Sequence, residues 1–298
     1  MTEPQILRIY LEDTMVATAR AGTFNVMNQI RGAMDARGWR VEFVDIKDAS
    51  PDDDEPAGFG LYHMETVPHP RRLILRRAYF YPFWQIETQP QRWRFGVARA
   101  EFDPNAVDPT TAEYFATKLR ERFRGTVARY GETVLVPLQG MIRKARSFQT
   151  MSPIDMLDQV AATGRATVAT LHPNEVYSPE DRAALEKLVA RYPNLSVGGK
   201  SADLLRDCAF VATQNSAIAF EGFVFGKPAV LFGQSDFHHI ALNVADLGAE
   251  EALEAAPTHR PFFARYLYWF LREQAVNATA DDAHDQIRAA MKRGGWPI

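Results

Sequence analysis

The sequence predicts an α/β protein of two Rossmann-like domains facing a cleft. Strand-like and helix-like segments alternate strictly from about residue 133 to 233, and such alternation implies crossover connections and a parallel sheet. The amino half opens in the same manner, strand then helix then strand. At 298 residues the chain is too long for one small core and suits two domains.

In chain order, "ILRIYLE" (6–12) reads as a strand, followed by a glycine-containing loop and a helix over 23–37 that Gly38 stops. "WRVEFVDI" (39–46) alternates and is β-branched, the mark of a second strand. The acidic "PDDDEPAGFG" after it reads as a solvated loop, and residues 69–100 as strands interrupted by Pro82 and Pro90. A helix over about 110–130 closes this half. In the second half "TVLVPLQ" (133–139) is a buried strand, and "SPIDMLDQVAAT" (152–163) a helix with Ser152 as cap and Pro153 at its first position. "RATVATLHP" (165–173) is a strand ending in a polar turn. "SPEDRAALEKLVARY" (178–192) is a helix capped by Ser178 with acids in its first turn. Strand "LSVGG", short helix "SADLLRDC", strand "AFVAT", a helix over 216–225 and strand "PAVLFG" complete the alternation. The expected domains are 1–130 and 131–258, with helices over 259–298 returning to the first.

Composition narrows the function. A net charge of −3 argues against a nucleic-acid polymer as partner, since such proteins present a basic face. The single cysteine, Cys208, cannot pair internally and fits a reducing compartment. "MTEPQ" lacks a basic leader, and no apolar run approaches the length needed to span a bilayer, so a cytoplasmic protein is expected.

In parallel sheets ligands sit outside the carboxyl ends of the strands. Three strand ends here carry conspicuous polar groups: Gln139, the run His172-Pro173-Asn174, and the run from Thr213 through Asn215 to Ser216. Asn215 and Ser216 stand at a helix amino end, where free N–H groups and the helix dipole favour an anion such as phosphate. Glu221, five residues on, lies about one and a half turns into that helix, placed to accept hydrogen bonds from a ribose diol. His172 is placed to neutralise phosphate charge. Each residue also has a plainer reading: a helix cap, a turn histidine, a carboxylate on a wet edge.

On these residues the second half resembles the capsule polysaccharide synthesis family, which includes bacterial transferases of Kdo. "VLVPLQ" (134–139) is similar to the strand entering that family's donor domain, and "LHPN" (171–174) to its His-Pro element. "TQNSAIAFEGFVFGKPAVLFG" (213–233) carries its Asn-Ser, its acid five residues after the serine, its Gly-Lys-Pro and its apolar strand. The resemblance covers roughly residues 130–240. It implies a GT-B architecture: an acceptor-side first domain and a second domain that holds a CMP- or UDP-linked nucleotide-sugar donor. The acceptor would be a surface polysaccharide or glycolipid. It implies donor-binding roles for Gln139, His172, Asn174, Asn215, Ser216 and Glu221, with His172 and Ser216 on phosphate and Glu221 on ribose, and it calls for no cofactor.

One departure matters. The family's Kdo transferases carry an acid four residues beyond the glutamine of the strand-entry motif, where this chain has Arg143. A guanidinium is neither base nor nucleophile, so Arg143, in the basic run with Lys144 and Arg146, reads either as an anion contact or as part of a solvated loop. Two readings stay open: a glycosyltransferase for surface or capsular polysaccharide, or a non-catalytic GT-B-shaped nucleotide-binding or partner subunit. A nucleotide-sugar 2-epimerase is a third.

Adjacent His238 and His239 are expected to point apart and to hold no metal. The stretch 260–274 sets Phe263, Tyr266, Leu267, Phe270 and Leu271 on one helical face. That face suits either peripheral attachment at the inner side of a membrane or packing back across the domains. The arginines 71, 72, 76 and 77 are candidates to face an acidic acceptor.

Overall fold

The computed structural model describes residues 5–49, 58–64, 68–123, 129 and 131–298. Most of the expected acidic loop after the second strand, and residues 1–4, lie outside them. The chain forms two compact units, one of Met1–Ala100 with Phe270–Ile298, the other of Glu101–Trp269.

The first unit begins with β1 (Ile6–Leu11), α1 (Asp13–Arg20), α2 (Asn25–Asp35) and β2 (Arg40–Asp45), where β1 and β2 pair in parallel. Their register sets Arg8 beside Glu42, and the two form an ion pair at 3.3 Å. Helix α2 turns Val26, Met27, Ile30, Ala33 and Met34 into the core, a three-and-four spacing that makes one apolar stripe. Helix α1 occupies part of the expected loop; with no side chain bonded at its cap, it gives no local start signal. Strands β3 (Phe59–His63) and β4 (Arg72–Arg77) extend the parallel sheet from β1, and β5 (Phe83–Glu87) pairs antiparallel with β4. The short α3 (Gly96–Arg99) follows.

The second unit starts with α4 (Pro109–Glu121), capped by Asp108 with proline at its first position. It continues β6 (Val134–Pro137), α5 (Pro153–Ala162), β7 (Thr167–Thr170), α6 (Pro179–Arg191), β8 (Leu195–Val197), α7 (Ser201–Leu204), β9 (Phe210–Thr213), α8 (Ala217–Val224) and β10 (Ala229–Leu231). Then come β11 (Leu242–Asn243), α9 (Val244–Leu247), α10 (Ala249–Ala255) and α11 (Phe263–Tyr268). The six strands lie in the order β11-β10-β9-β6-β7-β8, every pair parallel. Strands covered on both faces read as unbroken apolar runs, and all four residues of β6 and of β9 are buried.

The closing segment returns to the first sheet. β12 (Val276–Asn277) pairs antiparallel with β5, giving the order β12-β5-β4-β3-β1-β2, and α12 (Ala283–Arg293) packs on α2. The units therefore part at residues 100/101 and 269/270, not at the expected 130/131 and 258/259. The reason is packing: α4 lies against α11 and α8, so it and residues 259–269 belong to the second core. The aromatic stripe is mostly covered by protein. Tyr266 is buried against Phe223 of the second unit, Phe270 lies beside Tyr79 in the first, and Leu267 and Leu271 are buried, so most of this face packs on protein. Among the described residues no helix is long and apolar enough to cross a bilayer.

Candidate functional site

The second sheet reverses direction at one place. From β6 the chain steps outward through β7 and β8, then returns to the other side of β6 and steps outward through β9, β10 and β11. The turning point lies between the carboxyl ends of β6 and β9, where open α/β sheets bind their ligands. Gln139 follows the end of β6, and Asn215 and Ser216 follow the end of β9, so these residues flank the crevice. His172 and Asn174 follow the neighbouring β7.

Local bonds fix these loops. Thr213, fully buried, donates from Oγ1 to the Pro137 carbonyl at 3.1 Å and ties β9 to β6 at the crevice. Asn215 Nδ2 donates to the Gln234 carbonyl at 3.1 Å, and Ser216 caps α8 by accepting from the Ile218 N–H. His172 lies exposed in a tight turn, with its Nδ1 accepting from the Asn174 N–H at 3.3 Å. In the neutral ring the proton then sits on Nε2, which is a donor. The Tyr177 hydroxyl accepts from the His172 N–H at 2.9 Å and anchors this turn from below.

The loops after β6 and β7 meet. Arg143 Nε donates to Asp181 Oδ1 at 2.8 Å, and Asp181 is also half of the capping box that Ser178 makes at the start of α6. The Arg143 hydrogen bond is the main cause that holds the Asp181 carboxyl below its ordinary range. Because Arg143 is half exposed, Arg143→Met is expected to cost under about 1 kcal/mol of stability in urea titration. Glu175 lies over Gly140, where an added Cβ would meet its Oε2 at 2.0 Å. A side chain at this position would have to displace the exposed Glu175 carboxylate.

Glu221 is the one charged residue of α8, whose other inward positions are Ala219, Phe220, Gly222, Phe223 and Val224. It is mostly buried, makes no hydrogen bond or ion pair with a described residue, and desolvation alone raises its carboxyl above the ordinary range. A carboxylate in such a place is short of donors.

Other features of the sequence resolve as structure. Gly226 (φ 67°) takes the left-handed conformation that ends α8, and Lys227 is fully buried. Cys208 is buried, its thiol pushed up to about 12 by desolvation, which makes it a poor nucleophile. His238 and His239 do not point apart: they share a 3-10 turn with rings stacked at 4.2 Å, and His239 Nδ1 meets the Tyr266 hydroxyl at 2.9 Å. Among the described residues no cluster of three metal-ligating side chains occurs. Reading the sequence missed Glu175 and Gln149, and gave Arg146 no role apart from its two basic neighbours.

The fold is an α/β one of two mostly parallel sheets flanked by helices, a GT-B-like architecture. Among solved structures it is similar to the beta Kdo 2,7 transferase of KpsC from Thermosulfurimonas dismutans, with 12% identity, 96% of this chain and 100% of that chain covered, and a TM-score of 0.50. The beta Kdo 2,4 transferase of the same KpsC gives 12% identity, 89% of each chain and a TM-score of 0.45. UDP-GlcNAc 2-epimerase from Neisseria meningitidis, bound to UDP-GlcNAc, gives 9% identity, 97% and 100% coverage and a TM-score of 0.38. At these identities the likeness is one of fold. No protein-family model and no curated protein matches the sequence.

Proposed function

We propose that this chain is a glycosyltransferase-like protein that binds a CMP- or UDP-linked sugar at the crevice between β6 and β9 and serves surface or capsular polysaccharide synthesis. Glu221 carries the reading. A lone, desolvated carboxylate without a donor among the described residues, on the helix that starts at the crevice, suits a ligand with two adjacent hydroxyls. Five residues separate it from Ser216, about 7.5 Å along the axis, roughly the reach from a nucleotide's phosphate to its ribose. In this reading phosphate meets the start of α8 and the Nε2–H of His172, with Gln139, Asn174 and Asn215 around it. The acceptor is a polysaccharide or glycolipid.

A second reading, a binding subunit without transfer activity, is favoured by Arg143. It stands where the resembled transferases carry an acid, and its Nε is committed to the cap of α6. Two measurements decide. Thermal melts with CMP, UDP and GDP should show a rise in Tm for at least one, because a ligand that binds only the folded state stabilises it by mass action. No rise with any of them would end the nucleotide reading. Tracking labelled sugar from a donor panel then separates transfer from binding alone, and an epimerised donor in the product mixture would identify the third possibility.

A further inference from the structure

The loop after β6 contains a partly buried cation, two of whose nitrogens find no acceptor among the described residues. Arg146 is partly buried, and its Nε and Nη2 are shut off from solvent yet donate to no described residue. These two nitrogens share one edge of the guanidinium. Their parallel N–H groups form the side-on fork that matches two oxygens of a carboxylate or phosphate. Phe148 lies under the group, its ring centroid 4.8 Å from the guanidinium carbon, and holds the plane in place.

The surrounding turn is rigid. Gln149 N–H donates to the Arg146 carbonyl at 2.9 Å, and Gln149 Oε1 accepts from the Arg146 N–H at 2.8 Å. Gln149 also bridges to Gly233 beyond β10. Its Nε2 is a third buried donor with no described partner. Gln214, 2% exposed at the end of β9, keeps its Nε2 on the Met151 carbonyl at 3.2 Å and leaves Oε1 unmatched. Polar groups left unmatched in this way are rare in folded proteins, and they cluster where a ligand or water supplies the missing partner. Glu175 is the acid that acts on Arg146, but it rests on Gly140 and forms no ion pair with it.

We propose that the Arg146–Gln149 turn is an anion site on the carboxyl rim of the second sheet, taking two oxygens of a phosphate or carboxylate on the Arg146 fork with Gln149 Nε2 beside it. The proposal deepens the nucleotide-sugar reading, which offers two sources for such a group: the donor's phosphate or a carboxylate on its sugar. It separates Arg146 from Arg143, whose Nε is already paired. It also gives Glu175 a role, as the charge that opposes entry of an anion.

The test is calorimetric titration of the full chain with inorganic pyrophosphate, CMP, cytidine and glucuronate. Variants Arg146→Gln, Arg146→Lys, Arg143→Gln and Glu175→Gln are titrated alongside. Arg146→Gln is expected to weaken anion binding by about tenfold or more. Arg146→Lys, which keeps the charge and loses the fork, should fall between it and the parent. Arg143→Gln should bind as the parent does, and Glu175→Gln more tightly. A loss confined to CMP and pyrophosphate assigns the site to phosphate; a loss confined to glucuronate assigns it to a sugar carboxylate. Pyrophosphate binding that depends on Arg146 while CMP and cytidine fail to bind would keep the anion site and remove the nucleotide reading. No anion binding by the parent, unchanged binding in both Arg146 variants, or an equal loss in Arg143→Gln overturns the proposal.

Discussion

Replacing Lys227 by methionine is expected to cost about 2–4 kcal/mol of folding stability. Lys227 is fully buried, and its Nζ donates to the Cys208 carbonyl at 2.8 Å and to the Arg129 carbonyl. Its backbone N–H closes the end of α8 on the Gly222 carbonyl, and the adjacent Pro228 carbonyl accepts from Val211 of β9. One side chain thus joins three places in the second unit. Methionine keeps the stem and strands the buried Cys208 carbonyl, worth about 1–3 kcal/mol when unpaired, and the part-buried Arg129 carbonyl, worth less. Relief from burying an ammonium offsets part of that. The pH dependence gives a second check. Burial lowers the Lys227 pKa below its unfolded value of 10.5, so the folded protein releases this proton first. Stability linked to the group therefore rises as pH climbs from the lowered value towards 10.5, and the methionine variant lacks that rise. Urea titration measures both effects; a change below about 1 kcal/mol at neutral pH would mean that the amine is not what holds these carbonyls.

Lys227 also illustrates what a sequence can say. "GKP" forms part of the resemblance to a ligand-binding family, yet here glycine stops a helix and lysine holds carbonyls. The alternation of the second half was legible because both faces of each strand are buried, so "VLVP" and "FVAT" read as apolar runs. Ser152 and Ser178 were legible because a cap followed by proline is a local signal. What was not legible depends on distant partners. β3 is a five-residue strand whose first two residues fall inside the stretch read as an acidic loop, and β12 is a two-residue strand defined only by its pairing with β5. The same limit applies to the rim. Three cations in four residues look alike in sequence, and only burial tells Arg146, with its unmatched N–H groups, from Arg143 on Asp181. The strand ends that bear Gln139, His172, Asn215 and Ser216 were readable from alternation alone. The crevice between β6 and β9 was not, because it depends on strand order.

Glu221→Gln is expected to weaken binding of the best nucleotide by about 1–3 kcal/mol, roughly five- to 150-fold, and to raise the stability of the free protein at neutral pH. The two effects have one cause. A carboxylate accepts two hydrogen bonds from a ribose diol without offering a donor of its own, and charge strengthens both. Glutamine keeps the shape and loses the charge. Without ligand that charge is a burden, since α8 surrounds Glu221 with apolar neighbours and desolvation raises its carboxyl pKa above the unfolded value of 4.5. The folded state therefore holds this proton more tightly than the unfolded one. The associated stability is fully present below about 4.5 and is lost as pH rises through the raised folded value. Glutamine does not titrate, so its thermal advantage should appear at neutral pH and fade as the pH is lowered to about 4.5. Nucleotide affinity should move the other way: the parent loses it on acidification through the raised pKa, whereas the weaker affinity of Glu221→Gln stays level. Glu221→Leu should bind more weakly still. Calorimetric titration and thermal melts across this pH range read both quantities on the same samples. Equal affinities in parent and glutamine variant at every pH would leave Glu221 as a carboxylate on a wet edge, with the phosphate at the start of α8 deprived of its ribose partner.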